Sequence, residues 1–118
     1  MTDRILTVTS QAGPSGASVV NVIGELDLHT APDLSRVIEA TPFGPGEPVV
    51  IDLSRLAYCD STGITVLINA YRRAEAAEAR LFLAGLSDDL TRVFRIIGLD
   101  QVFAIQPSVE QALDALKG

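Results

Sequence analysis

Asp60-Ser61-Thr62-Gly63 brings a carboxylate and two hydroxyls together where a strand gives way to a helix. Ahead of it, Pro48-Val49-Val50-Ile51-Asp52-Leu53 is an apolar run of strand character. Behind it, Ile64, Leu67, Ile68 and Tyr71 recur at helical spacing. The hydroxyls are therefore expected at a helix N-terminus, where backbone N–H groups lack intrahelical partners and the peptide dipoles leave partial positive charge. A phosphate carried on such a hydroxyl is well accommodated. The chemistry this suggests is phosphorylation, on Ser61 first, with Thr62 as a second hydroxyl. The same residues also make an ordinary helix start, capped by Asp60 or Ser61, with Gly63 allowing close packing. Local physics leaves cap and phosphoacceptor both open.

Other chemistries find less support. His29 is the only histidine, and no serine sits in a Gly-x-Ser-x-Gly elbow, so a catalytic triad is excluded. Gly44 and Gly46 lie in a proline-rich loop with no lysine after them, unlike a phosphate-binding glycine loop. Asp52, near the end of a predicted strand, is placed like an aspartyl phosphoacceptor, with Glu25 and Asp27 as metal ligands. That site needs a cation beside the acyl phosphate, and the single lysine, Lys117, lies at the far end of the chain. Cys59 is the only cysteine, which rules out an internal disulfide and fits a reducing compartment. It reads as a small buried apolar residue. With His29 the only other soft ligand, no metal site is expected.

Composition sets the frame. The 118 residues suit one domain, 1–118, able to bury its own core. Hydrophobic residues make up 47% and charged residues 20%, a globular balance. The net charge is -6, and the arginines are scattered from Arg4 to Arg95. No basic patch exists to neutralise phosphates, so direct DNA binding is not expected. The start Met1-Thr2-Asp3-Arg4 opens no signal peptide and no apolar run reaches membrane-spanning length, so the expected location is cytoplasmic.

Nine elements must position the motif. Arg4 to Thr9 and Ser18 to Leu26 read as two strands around the Gly- and Pro-containing turn 11–16, an antiparallel hairpin. A helix follows, with Thr30 as candidate N-cap, Pro32 in its first turn and Leu34, Val37 and Ile38 as its stripe. Three prolines within 41–48 end it. Val49 to Leu53 is a covered strand, 54–59 a connection, and the helix after the motif runs to about Ala79. Arg80 to Ala84 is a strand. Ser87, Asp88 and Asp89 start a helix that Gly98 stops, with Leu99 folding back on Phe94. Val102 to Ile105 is a short strand. Ser108 and Gln111, at capping-box spacing, open the last helix with its stripe Val109, Ala112, Leu113 and Leu116. The order β-β-α-β-α-β-α-β-α predicts an α/β fold: a mixed, mostly parallel five-stranded sheet with four helices and right-handed crossovers.

Gly24-Glu25-Leu26-Asp27-Leu28-His29-Thr30, together with Asp52-Leu53-Ser54 continuing to Asp60-Ser61-Thr62-Gly63-Ile64, resembles the STAS domain family, specifically the bacterial anti-anti-sigma factors, or anti-sigma factor antagonists. The element order and Gly98-Leu99 extend the resemblance over the whole chain. It implies a non-enzymatic switch. The unphosphorylated antagonist binds an anti-sigma factor and so frees a sigma factor for transcription. That anti-sigma factor, a GHKL-type serine kinase, phosphorylates the first hydroxyl after the motif aspartate, Ser61 here, and ends the binding. A metal-dependent serine phosphatase restores it. ATP belongs to the kinase, so no cofactor is implied. Asp27, Asp60, Thr62 and Gly63 fall at positions of partner or kinase contact. Thr65 departs from the glycine common there, and Cys59 from a larger apolar residue. The alternative is a STAS scaffold in a signalling complex not controlled mainly through Ser61.

Overall fold

The computed structural model describes residues 5–117. Arg4, where the first strand was expected to begin, lies outside the described residues. Strands β1 (Leu6–Ala12) and β2 (Ser18–Leu26) form the expected antiparallel hairpin, with Thr9 opposite Asn21. β1 runs three residues further than expected, into the Gln11-Ala12 start of the expected turn. A single 3-10 turn at Pro14–Gly16 then reverses the chain. Helix α1 (Ala31–Ala40) leads through the proline loop to β3 (Val49–Asp52). A short strand β4 (Leu56–Cys59) occupies the expected connection. Helix α2 (Ser61–Ala76), strand β5 (Leu81–Ala84), helix α3 (Asp88–Ile96), strand β6 (Ala104–Gln106) and helix α4 (Val109–Lys117) complete the chain.

The sheet runs β1-β2-β3-β5-β6, and only β1 is antiparallel to its neighbour. β4 continues the path of β3 along β2: Ser18 to Asn21 pair with β3, and Gly24 to Leu26 with β4. Within the β4 pairing the register shifts between Gly24 and Glu25; Gly24 holds a φ of 113° that a side chain would resist, and a Cβ there would run into the Ile5 carbonyl. The sheet is thus six-stranded, one more than expected.

Alternation along the strands divides the core. Val20, Val22, Leu26, Ile51 and Leu83 face α1, α2 and α3, together with Leu34, Leu67 and Phe94. Val19, Val50, Phe82 and Ala84 face α4, around Ala112. Arg73 fixes α1 against α2: its guanidinium donates to the carbonyls of Ile38 (2.7 Å) and Thr41 (2.9 Å) at the end of α1. The Ile38 carbonyl also accepts from the Thr41 N–H at 3.1 Å, so the guanidinium reinforces the cap of α1. α2 stops at Ala76, short of the expected Ala79, because Glu78 takes a left-handed φ of 56° and Ala79 N–H closes onto the Ala74 carbonyl at 2.8 Å. Past α3, Gly98 adopts φ 81° as expected of a helix stop. A 3-10 turn at Leu99–Gln101 then delays the last strand by two residues.

Candidate functional site

Parallel pairing brings two chain segments to one end of the sheet. Leu26, the last residue of β2, pairs with Cys59, the last of β4, and the Asp60 N–H extends the ladder onto the Leu26 carbonyl at 3.1 Å. The turn into α1 and the first turn of α2 therefore sit side by side.

Asp60 is the N-cap of α2. Its Oδ1 accepts from the Gly63 N–H at 3.1 Å, and its carbonyl accepts from Ile64 at 3.1 Å. Of the two caps open in the sequence, Asp60 is the one formed. Ser61 is then the first helical residue, exposed, with a hydroxyl not needed for the cap. Thr62, half-buried, turns toward α1 and lines an open groove of about 470 Å³ with Leu28, Ala31, Pro32 and Val66. Gly63 is buried against β2: a Cβ there would lie 2.6 Å from Leu26 Cγ and 2.9 Å from Cys59 Sγ. Its role is to let α2 lie on the end of β2. One turn on, the Thr65 hydroxyl donates to the Ser61 carbonyl at 3.0 Å.

Asp27 and Thr30 fold the neighbouring turn. Asp27 is only 6% exposed, and its Oδ1 accepts from the N–H groups of His29 (2.9 Å) and Thr30 (3.0 Å). The Thr30 hydroxyl accepts from the Asp27 N–H (2.9 Å) and donates to the Glu25 carbonyl (2.8 Å). Thr30 was expected to cap α1 through its side chain; instead it stands at the N-cap position and spends its hydroxyl on this bracket. Asp27, expected as a partner contact, is at the same time a strut of the turn. It lines a polar recess of about 220 Å³ with Leu28, His29, Tyr58 and Asp60.

Exposed apolar residues surround this end. Leu28 is 66% exposed, Tyr58 44% and Val93 41%. Tyr58, Cys59, Leu90 and Val93 line a cleft of about 300 Å³ between β4 and α3. The signal for them in the sequence was Leu28 placed between Asp27 and His29, where no core stripe requires a leucine. Burial, and then the Asp60 charge, push the Cys59 thiol up to about 11. Asp52, the alternative phosphoacceptor, uses its carboxylate to accept from the Ser54 N–H at 3.0 Å, in the turn between β3 and β4. Among the described residues, no group of three or more His, Cys, Asp or Glu is placed to hold a metal, and no helix is long and apolar enough to cross a membrane.

The arrangement resembles known proteins. The STAS domain family matches residues 10–112. The anti-sigma-B factor antagonist of Listeria monocytogenes is 38% identical over 85 residues, 72% of this chain and 75% of that protein. The crystal structure of an anti-sigma factor antagonist from Mycobacterium paratuberculosis superposes with a TM-score of 0.84 at 30% identity, over 97% of this chain and 96% of that one. The fold also matches the Bacillus cell fate determinant SpoIIAA at 23% identity, in its phosphorylated form (TM-score 0.73, 93% of this chain, 99% of that) and unphosphorylated form (TM-score 0.72, 95% and 99%). These relatives are named as antagonists of anti-sigma factors. The family model matches nearly the whole length, and the chain belongs to the STAS domain family.

Proposed function

We propose that this chain, as one STAS domain over 1–118, is an anti-sigma factor antagonist in the cytoplasm and that phosphorylation of Ser61 switches it off. It binds an anti-sigma factor when unphosphorylated and releases the sigma factor. The anti-sigma factor is a GHKL-type serine kinase. Ser61 Oγ attacks the terminal phosphorus of its ATP, the bond to the ADP oxygen breaks, and the hydroxyl proton passes to a base of the kinase. A metal-dependent serine phosphatase reverses the step. The chain itself catalyses nothing.

The observation that carries this reading is the division of labour at the start of α2. Asp60 does the capping, which leaves the Ser61 hydroxyl exposed and spare, while Thr62 is half-buried on the α1 side. Ser61 is thus the better acceptor of the two. Asp27, Tyr58 and Gly63 shape and flank the contact surface, and exposed Leu28 and Val93 give it apolar ground. A phosphate there adds about -1.5 to -2 charge beside Asp60. It meets the unpaired amides of a helix start, so the domain has no reason to unfold. The partner, fitted to a neutral hydroxyl, meets the new charge instead.

Ser61→Asp is expected to cost about 3 kcal/mol of binding to the kinase partner, more than a hundredfold in Kd, with circular dichroism unchanged. Ser61→Ala should bind like the wild type and take no label from ATP. Calorimetry against candidate kinases, with phosphopeptide mapping, provides the check. Label retained on Ser61→Ala, or a melted helix in Ser61→Asp with undiminished affinity, refutes the proposal.

A further inference from the structure

β1 is the open edge of the sheet, and its sequence carries none of the features that normally keep an edge solitary. Leu6–Ala12 reads LTVTSQA, with no charge and no proline, in a chain of net charge -6. Natural edges are usually blunted by lysine, proline or a bulge. Here the pairing with β2 is unbroken from Leu6 opposite Gly24 to Ala12 opposite Ser18.

The ladder fixes which groups face outward. The Glu25 N–H donates to the Ile5 carbonyl at 3.0 Å, while the Gly24 N–H turns the other way, to Arg55. Antiparallel pairs alternate, so Thr7, Thr9 and Gln11 bond β2, and Leu6, Val8, Ser10 and Ala12 turn their N–H and C=O groups outward.

We infer that this edge binds a second copy of the chain, β1 against β1 in antiparallel register about a twofold axis at Thr9. The register is self-complementary. With Thr9 opposite its twin, Val8 faces Ser10 and Leu6 faces Ala12, so every outward pair falls into a hydrogen-bonding position. Thr9 occupies the close, non-hydrogen-bonded pair, where two threonines interact well. Its side chain is exposed there, within reach of the Asn21 amide at 3.3 Å. The edge is electrostatically neutral, so two copies that repel elsewhere meet no like charge along it. The twofold sends the Asp60–Gly63 ends of the copies in opposite directions and leaves both open. One pair of strands buries less than about 1,200 Å², the size of weak, transient contacts, so the dimer is expected to form only at high concentration.

Sedimentation of the full chain from about 1 to 500 µM tests this, with the weight-average mass expected to rise toward twice the monomer. Ser10→Pro deletes one outward N–H and no bond to β2, and should weaken association by about tenfold or more. Thr9→Lys places two ammonium groups at the axis and leaves the backbone intact, so it decides the matter if Ser10→Pro misfolds. In a Cys59→Ser background, Thr9→Cys should give a covalent dimer with oxidised glutathione, since the Cα atoms of such a pair stand about 4.5 Å apart. Thr7→Cys should not, because its twin lies about 13 Å away along the strand. Monomer mass throughout the range, dimerisation unaffected by Thr9→Lys, or equal cross-linking at both positions overturns the inference.

Discussion

Cys59 shows how one residue serves the site without reacting in it. Its sulfur lies beneath Gly63, beside Leu26, and its S–H points to the Asp60 carbonyl at 3.5 Å. Burial and the adjacent carboxylate disfavour the thiolate and push the pKa to about 11, from 9.0 for the free side chain. Two units correspond to a hundredfold smaller thiolate fraction, and the thiolate is the nucleophile. Iodoacetamide at pH 8 is therefore expected to alkylate the native protein about a hundredfold more slowly than the urea-unfolded chain. The sign for stability follows from the same shift. The folded state holds its proton to higher pH, so this contribution is complete below about pH 9 and is lost as pH rises toward 11. Urea midpoints between pH 8 and 11 should fall for the wild type and fall less for Cys59→Ser. Equal alkylation rates for native and unfolded chains would show the thiol to be open to solvent.

At the scale of elements, what the sequence revealed depended on how local its causes were. α3 was legible because Ser87 caps it, with the hydroxyl accepting from Leu90 N–H at 3.1 Å, and Gly98 stops it. α4 was legible for the same reason: Ser108 accepts from Gln111 N–H at 3.1 Å. The start of α2 was legible up to the choice between Asp60 and Ser61. β4 was not, because Leu56-Ala57-Tyr58-Cys59 is only four residues long and shows no alternation; it is a strand because β2 offers it a partner beyond the reach of β3. The Asp27–Thr30 bracket was hidden because threonine before an Ala-Pro helix start looks like a cap, and only the fold shows Thr30 reaching back to Glu25. The early end of α2 was missed because Glu78 gives no stop signal. Glutamate at φ 56° bears a steric cost that glycine does not. Glu78→Gly is thus expected to stabilise the domain by about 1 kcal/mol, visible as a rise of several degrees in Tm. A lower Tm would mean that the side chain gives back more than the backbone loses.

In the molecule as a whole, the proposed switch at Ser61 falls where charge can change without moving the core. Ser61 stands at the end of a sheet whose two faces are packed by separate clusters, and none of the buried residues depends on the Ser61 hydroxyl. The overall charge is already -6. A phosphate at Ser61 lowers it by about 2 more and is offset locally by the amides at the start of α2. The domain's own Tm should therefore shift by no more than about 2 °C on phosphorylation, given the small worth of an exposed charge at a helix start. The effect belongs to the complex, where it divides into two parts. Repulsion from partner carboxylates is long-range and screened, with a Debye length of about 10 Å at 0.1 M salt and about 3 Å at 1 M. The cost of stripping water from a phosphate against a surface fitted to a hydroxyl is local and survives salt. Because Ser61 is exposed rather than enclosed in a pocket, the screened part should dominate. The ratio of Kd for phosphorylated and unphosphorylated chain, measured by calorimetry, is expected to fall about tenfold between 0.05 and 1 M NaCl. A ratio that holds constant over that range would place the phosphate inside a closed contact and make the switch steric.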